Sequence, residues 1–134
     1  MSEYFDEEME PDPELNRISN LIIGAAIEVH RTLGPGHRES VYEEALAIEM
    51  RLRGIPFSRQ HSFKVVYKGS VVGTGSLDFL VSEKVIVDLK TIDDFTKRET
   101  AQMVSYLTAN HKRLAILLNF NVHRLTHGIR RVAL

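Results

Sequence analysis

The sequence predicts an α/β sandwich around a mixed sheet, on three observations. Apolar residues recur at helical spacing up to Gly54 and then alternate with polar ones from Phe63 onward. Two β-rich apolar runs follow, at 84–90 and 113–120. Helical periodicity returns between them, at 96–110. The order is α-α-β-β-β-α-β, which is satisfied by helices packed against a sheet.

After Pro11 and Pro13, a first helix is expected from about Leu15 to Leu33, with Ile18, Ile22, Ala25 and Val29 as its buried stripe. Gly34-Pro35-Gly36 stops it. A second helix is expected from about Glu39 to Arg53, burying Val41, Ala45, Ile48 and Leu52 and ending at Gly54. Phe63, Val65 and Tyr67 lead through a Lys68-Gly69-Ser70 hairpin turn into a strand at 71–81. Ser82-Glu83 turns the chain into the strand at 84–90. The helix at 96–110 should turn Ala101, Val104 and Leu107 inward, and residues 122–132 read as a short extended segment.

A chain of 134 residues fits one domain, assigned to 15–134. The absence of cysteine excludes disulfides, thiolate zinc sites and iron–sulfur clusters, and suits the cytoplasm. No apolar stretch approaches the roughly 20 residues of a membrane span, so no membrane partner is expected. The net charge of −1 hides an asymmetry: residues 1–14 carry seven acids and no Lys or Arg, leaving +6 on the remainder. A basic body suits a polyanion, and the acidic segment reads as a flexible, solubilising tail.

The chemistry concentrates late in the chain. In Asp88-Leu89-Lys90 the two charged side chains share one strand face, about 6.6 Å apart along the strand. Charged groups on a buried strand call for a partner or a metal. Asp78 adds a second carboxylate from the adjacent strand, the Leu89 carbonyl offers a backbone ligand, and Glu39 is a candidate third acid. Oxygen ligands of this kind suit Mg2+ or Mn2+, and Lys90 could act at an attacking water or offset charge on a phosphate. Gln102 and Tyr106 lie at i, i+4 on the following helix with Arg98 one turn earlier, a row suited to a nucleic-acid backbone.

Each feature also has a plainer explanation. Asp88–Lys90 can be an ordinary ion pair, worth about 0–1 kcal/mol if exposed. Glu39 favours the dipole of the helix it opens, and the Gln102–Tyr106 row can be plain amphipathic surface. His123 and His127 are four apart in a segment that does not read as helix, no H-E-x-x-H occurs, and His30 reads as buried and hydrogen-bonded. Neither a phosphate-binding glycine loop nor a G-x-S-x-G elbow is present.

Gly36, Glu39 and Tyr42, within Val29–Gly36 and Glu39–Leu46, resemble the signature of the GxxExxY proteins. The similarity continues through Asp78-Phe79, Val87–Lys90, Gln102–Leu107 and Leu117–Phe120 to Gly128–Val132, covering roughly residues 18–132. That family looks like a compact branch of the PD-(D/E)XK nuclease-like superfamily. The resemblance implies a restriction-endonuclease-like αβββαβ core with an extra N-terminal helix. It also implies Glu39 as the first acidic motif, Asp78 as the central metal ligand, Asp88 and Lys90 as the D/E-x-K motif, and Gln102 and Tyr106 as a Q-x-x-x-Y helix. The expectation is a Mg2+-dependent nuclease acting on DNA. Its competitor is a non-catalytic nucleic-acid-binding or assembly module, homodimeric in one form, that keeps the fold.

Overall fold

A computed structural model describes residues 12–134. Helix α1 (Pro13–Leu33) opens where the Asp12 carboxylate accepts from the Glu14 and Leu15 backbone N–H groups, an N-cap reinforced by Pro13 at the first position. Most of the acidic segment expected as a tail, residues 1–11, lies outside the described residues. The expected stripe of α1 is buried throughout. Gly34 ends the helix at φ 71°, in the left-handed region that a side chain would resist.

Helix α2 (Glu39–Leu52) buries Tyr42, Leu46, Ala47 and Met50. The expected face is therefore shifted: Ala45 is half-buried, while Val41, Ile48 and Leu52 are exposed. Tyr42 is the reason. Its ring stacks on Phe120 at 4.5 Å, and its hydroxyl donates to the Gly34 carbonyl and accepts from the His37 N–H. A phenol whose polar end is satisfied can be buried completely, and here it turns the helix.

Strands β1 (Phe57–Tyr67) and β2 (Ser70–Val81) form a long antiparallel hairpin. β1 begins six residues earlier than its alternation suggested, and the turn has two residues, Lys68 and Gly69, both at positive φ as a tight hairpin requires. Strand β3 (Val85–Lys90) pairs antiparallel with β2 and parallel with β4 (Leu114–Asn119), the crossover being α3 (Lys97–Asn110). After a short 3₁₀ turn at Leu125–Gly128, β5 (Ile129–Ala133) pairs with β4, resolving the expected extended segment into a turn and a strand. The result is one five-stranded mixed sheet in the order β1-β2-β3-β4-β5.

The sheet separates two apolar layers. Helices α1 and α2 cover Phe79, Val81, Val85, Val87, Leu89, Leu114, Ile116 and Leu118. Helix α3 covers Leu77, Leu80, Ile86, Ala115 and Leu117 with Met103 and Leu107. Leu107 is inward as expected, but Ala101 is exposed and Val104 only half-buried, because Thr100 and Met103 take the inner positions. β3 and β4 are buried on both faces, which explains their unbroken apolar runs.

Candidate active site

The site forms at the C-terminal end of β3. Ile86 packs in the α3 layer, so the two-residue period of a strand carries Asp88 and Lys90 onto the same face. Asp88 is 6% exposed, and its Oδ2 lies 3.0 Å from the Lys90 ammonium. Lys90 also donates to Gln102 Oε1 at 3.0 Å, and Gln102 Nε2 donates to the Tyr106 hydroxyl at 3.2 Å. The i, i+4 row on α3 thus continues a chain of contacts that starts at Asp88. Arg98 stands outside it: exposed in the first turn of α3, it has no side-chain partner among the described residues.

Asp78 reaches the site from β2. The β2–β3 ladder ends at the pair Phe79–Val87, and beyond it the Leu89 N–H donates to Asp78 Oδ2 at 2.8 Å instead of to a strand. The N–H and C=O of one strand residue point to the same neighbour, so the Leu89 carbonyl lies on the same edge as Asp78. Asp88, on the neighbouring strand, is close enough for its charge to act on Asp78.

The electrostatics follow from this crowding. Burial, and then the neighbouring Asp88 charge, push the Asp78 pKa up to about 6. Burial also raises Asp88, against the opposing pull of Lys90. Lys90 is itself partly desolvated, which disfavours its charge, but Asp88 beside it more than compensates and its pKa rises. Lys90 therefore remains an ammonium at neutral pH. Desolvation and then Asp88 raise the Tyr106 phenol as well.

Glu39 opens α2 on the opposite helical layer and is exposed at the mouth of the site. Partial desolvation and the nearby charge of Asp78 raise its pKa, and Lys90 lowers it. It acts on the aspartates through its field and makes no hydrogen bond to either of them.

Three contributors escaped the sequence reading. Gln60 on β1 donates to Glu43 Oε1 at 3.1 Å and to Asp78 Oδ1 at 3.4 Å, while Ser76 donates to its carbonyl at 2.9 Å. Glu43 is held in turn by Arg59 at 3.1 Å. Asn119, 1% exposed, pins the loop after Lys90: its side chain accepts from the Ile92 N–H at 3.1 Å and donates to the Ile92 carbonyl at 2.9 Å. A polar residue ending the run Leu114–Leu118 was the available signal for Asn119; Gln60 and Glu43 offered none. His30 takes no part: it is buried, its Nε2 2.8 Å from the Val122 carbonyl, the structural role expected of it.

The residues present fit a divalent cation. Two desolvated carboxylates brought within range of each other's charge form a place where a divalent ion can relieve the crowding. Among the described residues no three His, Asp or Glu side chains converge to surround an ion. Magnesium does not need them, since it commonly binds through one or two carboxylates and keeps several waters. No helix of the described residues is long and apolar enough to cross a membrane.

A search of curated proteins finds no match to this chain. A family model for the PD-(D/E)XK nuclease superfamily, in contrast, matches residues 16–132, from the second turn of α1 to β5. That match spans most of the chain and every site residue named above, and a mixed sheet flanked by helices is consistent with the restriction-endonuclease-like fold. The chain belongs to the PD-(D/E)XK nuclease superfamily.

Proposed function

We propose that this protein is a divalent-metal-dependent nuclease of the GxxExxY type that hydrolyses phosphodiester bonds in DNA. The observation that carries the reading is that β2 and β3 bring Asp78, held by the Leu89 N–H at 2.8 Å, and Asp88 to one strand edge, with the Lys90 ammonium 3.0 Å from Asp88. Asp78, Asp88 and the Leu89 carbonyl would hold Mg2+ or Mn2+, and Glu39 would add negative field at the mouth. When bound, the ion supplies Lewis-acid polarisation and a more acidic water.

The chain's own residues supply the rest. Lys90 keeps its proton, so it serves as a cation and hydrogen-bond donor to a phosphate or a water, and not as a general base. Gln102 keeps that ammonium aimed, and Tyr106 supports Gln102. Arg98, free at the start of α3, is suited to contact the DNA backbone. The basic balance of residues 15–134 favours a polyanionic substrate. A chain without cysteine is compatible with work in the cytoplasm.

Incubating purified protein with plasmid DNA and Mg2+ or Mn2+, beside Lys90→Ala, tests the reading. Nicking that requires the metal and is lost in the variant supports it. Equal products from both proteins, or none from either on single- and double-stranded DNA, would favour the non-catalytic binding module.

A further inference from the structure

Five non-glycine residues have positive φ among the described residues: Lys68, Ser82, Glu83, His111 and Gln60. The first four lie in turns or at a helix cap, where such backbone is expected. Gln60, at φ 47°, lies inside β1. A glutamine has no local reason to adopt this conformation, and it persists only where surrounding contacts impose it.

The surroundings explain what the conformation does. Phe57 packs in the α1/α2 layer, and Arg59 on the same side binds Glu43 and Glu44 of α2. Phe63, also odd-numbered, packs in the α3 layer. The inward face of β1 therefore switches between Arg59 and Phe63. β2 switches with it, since Phe79 belongs to the α1/α2 layer and Leu77 to the α3 layer. Arg59 pairs with Phe79 and His61 with Leu77, and between these two rungs stand Gln60 and Asp78. No residue is inserted between these two rungs, so the left-handed backbone at Gln60 makes the exchange without breaking register there.

At this crossing Gln60 bridges α2 and β2. Its amide nitrogen donates to Glu43 on α2 and to Asp78, whose other oxygen is fixed by the Leu89 N–H. Ser76 holds the Gln60 carbonyl, which fixes which end of the amide faces the acids. We propose that Gln60 is a positioning residue that sets the rotamer of Asp78 and ties Glu43 to it, at the cost of backbone strain. This deepens the metal-dependent nuclease reading and rests on it for the consequence in catalysis, though not for the placement of Asp78.

Gln60→Gly separates the two roles of this position, because glycine accepts φ 47° without strain but carries no amide. Three measurements on the full chain decide it. The melting temperature of Gln60→Gly should stay within a few degrees of wild type. Its affinity for Mn2+, titrated without DNA, should fall about tenfold or more, and kcat for cleavage should fall at least as far with little change in KM. Ser76→Ala should move both quantities the same way, by less. A crystal structure of metal-free Gln60→Gly should show the Asp78 carboxyl turned from its wild-type rotamer or spread over several. An unmoved Asp78 together with wild-type Mn2+ affinity would overturn the proposal. If wild type does not cleave DNA, the nuclease reading fails, and the Asp78 rotamer still decides the role of Gln60.

Discussion

Asp78 accepts the Leu89 N–H at 2.8 Å, which sets its carboxyl at the β2–β3 edge within reach of the Asp88 charge, where water is scarce. Folding raises the affinity of this pair for a proton, with Asp78 pushed up to about 6 from an ordinary 3.8. The native state therefore binds more protons than the unfolded chain between those values, and stability falls as pH rises through that window. The penalty is absent in acid and complete above about 6. Denaturant unfolding of metal-free protein from pH 4 to 7.5 should show this decline, reduced in Asp88→Asn, where only the burial of Asp78 remains to cause it, and absent in Asp78→Asn.

Divalent ions should reverse that penalty. An ion that neutralises the two aspartates binds only the native state, so it must raise the melting temperature. At 100 times its Kd the gain is about 2.7 kcal/mol. The shift should be large at pH 7.5, small at pH 5, and lost in Asp78→Asn. Thermal melts with millimolar Mg2+ measure it, and a protein indifferent to magnesium at both pH values would contradict the cation site.

Tyr42→Phe tests the clasp that sets the face of α2. The variant keeps the stack on Phe120 but strips the Gly34 carbonyl and the His37 N–H of their partner. A loss of about 1–2 kcal/mol is expected from denaturant unfolding. Because the clasp holds the turn before Glu39, the backbone amides of Gly34 and of residues 36–39 should exchange faster with solvent.

Asn119→Ala should release the loop that follows Lys90. Its side chain satisfies both backbone groups of Ile92 and accepts from the Asn121 N–H as well. Leaving such groups unpaired costs about 1–3 kcal/mol. Hydrogen exchange should rise at residues 91–95 and spare β3, and cleavage should weaken as Lys90 loses its support.

The elements of this fold were legible wherever one physical rule acts alone. The α1 stripe follows from helical period, and β3 and β4 from apolar runs that only two-sided burial permits. Their parallel pairing follows from the intervening α3. The reading slipped on α2 because Tyr42 is amphipathic, and its burial depends on a carbonyl eight residues away that no local pattern reveals. Asp88, Lys90, Gln102 and Tyr106 were readable because strand and helix periods alone bring them to one face. Gln60 was not: its partners Asp78, Glu43 and Ser76 are all brought to it by tertiary structure.

The central claim is that Asp78, Asp88 and Lys90 act together on a phosphodiester with a divalent ion. Single-turnover cleavage of end-labelled single- and double-stranded DNA, by wild type, Asp88→Asn and Lys90→Ala, in Mg2+ or in EDTA, tests it most directly. Cleavage by wild type in Mg2+ alone, reduced about 10²–10³-fold or more by either substitution, is the predicted result. Cleavage that survives both substitutions or persists in EDTA, or folded wild-type protein that cuts neither substrate, would contradict it.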